Sequence, residues 1–377
     1  MSPEAAQITR LSTLGSIAIL PILILPVMVG ALIDYAGFTD AQAGWMATAG
    51  FVGSALAAII VGLRIRHLNP RSVCVFGLIV LVVFDCLSAF VNQMPTEVFV
   101  VVRFISGLGG AAAYASVVTS IAALREPERG YGMFTVLQFG LSSALFYLLP
   151  IVLPTIGVAG MFILMSLLAA LALSMKDSVL LRDAVDDEQK LETKSLLKPA
   201  ALLAMLGIGA YEVANFMQYT YAERIGLEFD LSSIEAGQTL GLATLLGVPA
   251  GLAVVWLGDR FGQLKPLLGA IIASVAAHFL LLSDGGPASY IISMCIISAA
   301  WAFGLAYFYS IEARLDPAGS VVVVGGFFTA CGGALGPALA AMLVRPNNFS
   351  VVLATAIGVY VIVGLLMIVS NRYTRQV

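Results

Sequence analysis

Three ionisable side chains interrupt stretches of this chain that are otherwise apolar. Asp85 lies in "VVFDCLSAF", Arg103 opens "RFISGLGGAAAYA", and Glu212 sits near the middle of "GAYEVANFMQYTY" at 209–221. A charged residue at the centre of a membrane helix costs about 2.5–3.5 kcal/mol on insertion scales, so it faces a protein interior or a water-filled cavity. Helical spacing puts Tyr211, Glu212, Asn215, Gln218, Tyr219 and Ala222 on one stripe, and Arg103, Gly107, Gly110 and Tyr114 on another. Burial favours the neutral form of a carboxylic acid and a nearby cation favours the ionised form, so a carboxyl between these influences can take up and release a proton. Glu212 is the first candidate for such proton coupling and Asp85 the second. A structural bond to a Tyr or Asn on a neighbouring helix is the alternative for Glu212. Arg103 can hold an anionic substrate or a proton-carrying carboxylate, or it can be a structural or snorkelling arginine. Asp85 can equally be its structural partner. Trp301, Gly304, Tyr307 and Ile311 share a face and form an aromatic wall suited to a substrate with an apolar body and a negative end. Tyr and Trp are also ordinary at membrane interfaces.

The segments that carry these residues follow from composition. Of 377 residues, 60% are hydrophobic and 11% charged, with a mean hydropathy of +0.99. Soluble domains carry about 25% charged residues, so this chain has too little polar surface to coat a globule in water. A polytopic membrane protein is expected. The net charge of −3 gives no reason to expect nucleic acid as a partner. Cys74, Cys86, Cys295 and Cys331 show no CxxC pairing and read as small buried packing residues, with no metal site. His278 stands alone and reads as a packed histidine. The amino-terminal segment lacks the basic and cleavable regions of a signal peptide, so the first helix is expected to be retained.

About 20 apolar residues cross the hydrocarbon core as a helix. Twelve spans are expected, near 11–33, 41–63, 72–92, 97–123, 132–153, 155–175, 199–222, 232–257, 266–283, 288–311, 317–343 and 349–370. Pro154 and Gly157 mark the turn between the fifth and sixth. With both termini in the cytoplasm, all 19 Lys and Arg except Arg103, Arg224 and Arg345 fall on the cytoplasmic side, as the positive-inside rule requires. The segments expected are an amino-terminal bundle over 1–175, a cytoplasmic linker over 176–198 and a carboxy-terminal bundle over 199–377.

An internal repeat relates the halves. "VGLRIRHLNPRSV" from Val61 aligns without gaps on "VWLGDRFGQLKPL" from Val255, so Arg66 meets Arg260 and Arg71 meets Lys265. The second copy, "GDRFGQLK", resembles the cytoplasmic signature of the major facilitator superfamily, glycine–x–x–x–aspartate–arginine–x–glycine–basic. "RFISGLGG" resembles that family's arginine–x–x–x–glycine–x–glycine pattern. The resemblance covers essentially the whole chain in helix count and spacing. It implies an all-α fold of two six-helix bundles, rocking about a central site lined by the first, fourth, seventh and tenth helices. It also implies gating by Gly258, Asp259, Arg260 and Gly262. The first copy departs from the pattern, with Ile65 at the acidic position and Leu68 at the glycine position. The fifth span lacks the glycine–proline–glycine pattern of drug/proton antiporters, while a similar "GGALGP" occurs at 332–337.

The function expected is secondary active transport of a small organic solute, coupled to protons, with aromatic or other monocarboxylates as substrates. Substrate contacts are expected from Arg103, Tyr114, Tyr211, Asn215, Gln218, Tyr219, Trp301 and Tyr307. Drug or sugar efflux by proton antiport is the alternative within the class, and a membrane receptor or intramembrane enzyme the alternative outside it. An enzyme would need clustered carboxylates or histidines at one depth, and a pump a Walker-type loop. The "GLGGAA" run joins no strand to a helix and reads as helix packing. No cofactor is expected. The protein should be a monomer in the lipid bilayer of a bacterial inner membrane.

Overall fold

The computed structural model describes residues 3–64, 68–181, 193–283, 285–316, 319–346 and 348–374. The described residues form α-helices and short 3-10 turns, with one isolated bridge between Arg345 and Asn348. Contacts divide the chain into Met1–Asp187 and Glu188–Val377, a cut inside the expected 176–198 linker. Ile65, Arg66, His67 and residues 182–192 of that linker lie outside the described residues.

In the first unit the expected span at 11–33 is broken into α1 (Pro3–Ala18), α2 (Leu20–Leu23) and α3 (Leu25–Ala36). The breaks fall at Ile19 and Ile24, each two residues before a proline, Pro21 and Pro26. A proline ring removes one helical hydrogen bond and crowds the carbonyl four residues back, which explains both interruptions. Gly37, with φ 69°, closes α3. There follow α4 (Asp40–Arg64), α5 (Pro70–Ser88) capped by Asn69, α6 (Thr96–Ala122) and α7 (Pro127–Leu173). The last holds both the fifth and sixth expected spans. Its helical dihedrals fail only at Gly157, at φ 62° and ψ −176°, a conformation nearly restricted to glycine.

Glycines set the spacing within this unit. A side chain on Gly107 would collide with the backbone of Gly50, and one on Gly53 with that of Phe104, so α4 and α6 touch backbone to backbone. Gly77 and Gly109 do the same for α5 and α6. Small residues allow this approach where lipid gives helices no hydrophobic reason to associate. The run "GLGGAA" is thus a packing seam.

The second unit comprises α8 (Thr193–Leu196), α9 (Pro199–Thr220), α10 (Ala222–Glu228), α11 (Ser233–Leu245), α12 (Gly247–Leu257), α13 (Leu264–Leu281), α14 (Gly286–Leu315), α15 (Ser320–Leu343) and α16 (Ser350–Thr374). A capping box of Ser232 and Glu235 starts α11. Helix α9 packs against α15 and α16. Side chains on Gly332 or Gly336 would strike the α9 backbone, at Gly209 and Val213 respectively, so "GGALGP" is also a helix contact.

Ten stretches among the described residues are long and apolar enough to cross a membrane. They cover the expected spans from the second onward, with α7 holding two and α11–α12 counted together. The first expected span falls on α1–α3, of which no piece is long enough alone. Large apolar side chains face outward along these stretches, among them Val255 at 81% and Ile272 at 67% exposure. In water such surface would be a liability; in a bilayer it is solvated by lipid. The chain is a multi-pass membrane protein. Cys86 belongs to this outer surface, and only Cys74 is fully buried, so the expectation of four buried cysteines fails where helices meet lipid.

The glycine seam is testable. Gly107→Val should lower the melting temperature of the purified protein, by an overpacking cost of about 1–3 kcal/mol. Gly358→Ala, with nothing within 4 Å of its added methyl, should leave it unchanged or higher.

Candidate functional site

Asp85 and Arg103 form one compact network in the first unit. Helices α5 and α6, held close by Gly77 and Gly109, bring the two side chains together at 2% and 3% exposure. Arg103 Nη1 donates to Asp85 Oδ1 at 2.7 Å and to Ser88 Oγ at 3.2 Å. Ser106 Oγ donates to the same Asp85 oxygen at 2.7 Å. The guanidinium carbon stands 5.1 Å from the centre of the Phe162 ring, a distance suited to a cation–π contact. A buried ion pair tolerates its desolvation only when further hydrogen bonds complete it. The two serines supply those bonds. The network is electrically neutral, so Arg103 is engaged rather than open.

Beside this network lies a narrow cleft. Ile19, Pro21 and Ile22 line it where α1 gives way to α2, with Met46, Phe51 and Ser54 from α4 and Arg103, Ser106 and Gly107 from α6. Its walls are apolar apart from Ser54, Arg103 and Ser106. Tyr114 shares the helical stripe of Arg103 but does not reach the cleft. Its ring packs 5.8 Å from Phe134, against the apolar cluster around Val117.

In the second unit the polar stripe of α9 divides. Glu212, 1% exposed, accepts hydrogen bonds from Trp301 Nε1 of α14, at 3.1 Å to Oε1 and 3.4 Å to Oε2. No ion pair reaches Glu212 among the described residues. Tyr211 instead donates to the Ala300 carbonyl at 2.8 Å and packs against Phe308 and Tyr360. Asn215 turns back to the Tyr211 carbonyl of its own helix. Gln218 donates to Met294 Sδ, and Tyr219 stacks edge-on with Phe216. Of the expected aromatic wall, only Trp301 meets Glu212. Tyr307 is buried and donates to the Gly258 carbonyl at 3.3 Å.

That contact belongs to the "GDRFGQLK" turn. Gly258 and Gly262 adopt φ of 53° and 67°, which only glycine takes without strain. The turn is fastened to one face at the end of α14. Tyr307 holds Gly258, Ser310 accepts from Gln263 at 2.5 Å, and Arg314 pairs with Asp259 at 3.1 Å. Arg260 leaves this set and lies over the Trp256 ring. In the first unit, Arg71 bonds Asp177 and the Val179 carbonyl, tying the start of the linker to α5.

Reading the sequence alone misses several buried charges. Arg224, assigned there to an outer loop, is buried beside Glu223 at 3.6 Å. Glu312, in the last turn of α14, is fully buried. Asp316 is buried and bonds the first amides of α15. Burial of this kind depends on the rotation of a helix against its neighbours, which periodicity within one helix does not reveal. No cluster of three metal-ligating side chains occurs among the described residues.

Comparison with known proteins gives one family. The model of the Major Facilitator Superfamily matches residues 11–341. A candidate niacin/nicotinamide transporter of Bacillus subtilis (strain 168) is 22% identical over 358 residues, covering 88% of this chain and 87% of its own. The solved structure of the nucleoside transporter NupG superposes with a TM-score of 0.75 at 13% identity, over 99% of this chain and 100% of its own. A D-xylose-proton symporter gives 0.76 at 16% identity, over 97% of each chain. At these identities the structural likeness establishes the fold.

The buried pair makes a stability prediction. Asp85→Asn or Arg103→Met alone leaves an uncompensated charge or orphaned partners and should cost about 3–5 kcal/mol. The double variant Asp85→Asn/Arg103→Met should melt closer to wild type than Arg103→Met or Asp85→Asn does. Additive losses in detergent melting curves would show that the two side chains are not coupled.

Proposed function

The chain belongs to the major facilitator superfamily, and from that premise we propose a secondary active transporter that moves a small aromatic or other monocarboxylate by alternating access, coupled to protons. The observation that carries the coupling is Glu212. It is a carboxyl group buried in a membrane helix, and among the described residues it has one indole N–H as its hydrogen-bond donor and no paired cation. An ionised carboxylate in that position costs several kcal/mol of desolvation. The neutral acid avoids this cost, so occupancy by a proton is the natural state while the site is closed. Access to water reverses the balance, and this alternation is what a coupling residue needs.

Substrate class rests on the first unit and on one relative. Arg103 presents a planar fork suited to a carboxylate, beside a cleft with apolar walls. Asp85 already takes one nitrogen of that fork, Nη1, at 2.7 Å. A substrate carboxylate would compete with Asp85 for Nη1, and a proton on Asp85 would free that nitrogen for it. Proton and anion would then bind together. Niacin, named for the Bacillus subtilis relative, is a pyridine monocarboxylate and fits this chemistry. Asp259 and Arg314, with Gly258 and Gly262 shaping the turn, would serve the gate. Twelve crossings with both termini in the cytoplasm, a bacterial inner membrane and a monomeric state complete the proposal.

Flux in proteoliposomes tests it. Wild-type protein should accumulate a pyridine or benzene monocarboxylate under an imposed pH gradient, while nicotinamide, nucleosides and xylose compete weakly. Glu212→Gln should lose pH-driven accumulation yet keep substrate exchange. Arg103→Lys should weaken carboxylate affinity by at least about tenfold, which corresponds to 1.4 kcal/mol for the lost bidentate geometry. Unchanged pH-driven uptake by Glu212→Gln would remove it from coupling, and no uptake of any monocarboxylate would sink the substrate class.

A further inference from the structure

Glu312 is a buried acidic group that the mechanism above leaves unused. It lies in the last turn of α14, several turns beyond Trp301. It is 0% exposed, and neither carboxylate oxygen has a hydrogen-bond partner, a combination no other acidic residue shares among those described. Its oxygens rest against Gly325 of α15, where any side chain would collide with both of them. The glycine thus leaves a seat that fits the carboxyl group and closes over it.

Among the described residues of the elements packed against α14, none sets a positive charge at this seat. On α14 itself, Arg314 turns to Asp259 at the surface. Asp316, just past the helix, bonds the amides of Ser320 and Val321. Helix α15 carries no charged residue or histidine, α12 carries none, and α9 contributes only Glu212. From α13, Lys265 is exposed, and His278 holds the Ser274 carbonyl with its ring against Tyr360. The charged residues of α10 and α11 belong to the other end of α14, where Tyr290 bonds Ala222 and packs on Gly226. The terminal carbonyls of α14 add a negative pole beside Glu312. Among the groups named, none offsets a negative charge on Glu312.

A metal ion would need several oxygen ligands, and the seat offers two from Glu312 beside a helical glycine whose backbone is engaged. A proton needs no such shell. We propose that Glu312 is a proton-binding site distinct from Glu212, which keeps its proton while Gly325 covers it and releases it when α15 withdraws and water reaches the oxygens. Its role in coupling rests on the transport reading above, but its occupancy does not.

Infrared spectroscopy of the purified full chain in lipid nanodiscs tests occupancy without any substrate. A carbonyl band of a protonated carboxylic acid should be present at neutral pH and fade as pH is raised. That band should vanish in Glu312→Gln, persist in Glu212→Gln and shift in Gly325→Ala, where the added methyl displaces the carboxyl. A Glu312→Gln spectrum identical to wild type overturns the proposal. So does a band removed by sodium chloride at constant pH, which would assign the seat to a metal cation. If Glu312→Gln does not fold, Glu312→Asp serves instead: a shifted band supports the site and an unmoved band overturns it. A chain that keeps the Glu312 band but shows no pH-driven uptake would refute the coupling reading and leave this one standing.

Discussion

The hydrocarbon core of a bilayer offers no water to a charge or a peptide group, and the rest of this structure follows from that lack. Each buried polar side chain must find its solvation inside the protein. At its polar centre the first unit pairs opposite charges, whereas at Glu212 the second sets a dipole against an acid. Asp85 and Arg103 cancel each other, with Ser88, Ser106 and Phe162 completing their shells. Among the described residues, Glu212 has only the Trp301 indole. The two arrangements lend themselves to different work. A neutral pair can exchange one partner for another anion, whereas a lone acid can change only its own proton.

The same scarcity explains the glycines. Backbones that cannot be solvated by water are best buried against each other, and close approach requires residues without side chains. Gly50, Gly53, Gly77, Gly107 and Gly109 bring α4, α5 and α6 near enough for Asp85 to reach Arg103. Gly209 and Gly332 bring α9 and α15 together at the level of Glu212. Packing and chemistry are therefore not separable here. A glycine that serves one helix contact also decides which side chains can meet.

Much of this was legible in the sequence, because lipid makes hydropathy a direct report of position. Most span limits, the turn at Gly157 and the burial of Asp85, Arg103 and Glu212 in apolar segments follow from runs and spacing alone. The Asp85–Arg103 contact was one of two open readings. The breaks at Ile19 and Ile24 were hidden because a run of Ile, Leu and Pro keeps its hydropathy while losing its helix. Tyr211, Asn215 and Tyr307 share stripes with the residues that matter, yet each bonds a backbone carbonyl instead. A stripe about 100° wide spans more than one neighbour, and spacing does not say which neighbour takes which residue. Glu312 escaped for the converse reason. What buries it is the missing side chain of Gly325, and an absence on one helix leaves no mark on the pattern of another.

The bond between Trp301 and Glu212 also gives the protein a built-in optical probe. The chain has three tryptophans, and of these Trp45 and Trp256 are exposed. Only Trp301 has its indole nitrogen on a titratable oxygen. The emission of an indole depends on the electric field along its rings, and a carboxylate becoming a neutral acid at the N–H changes that field abruptly. Light emitted from α14 therefore carries a record of the charge on α9, readable without a dye, a label or a substrate.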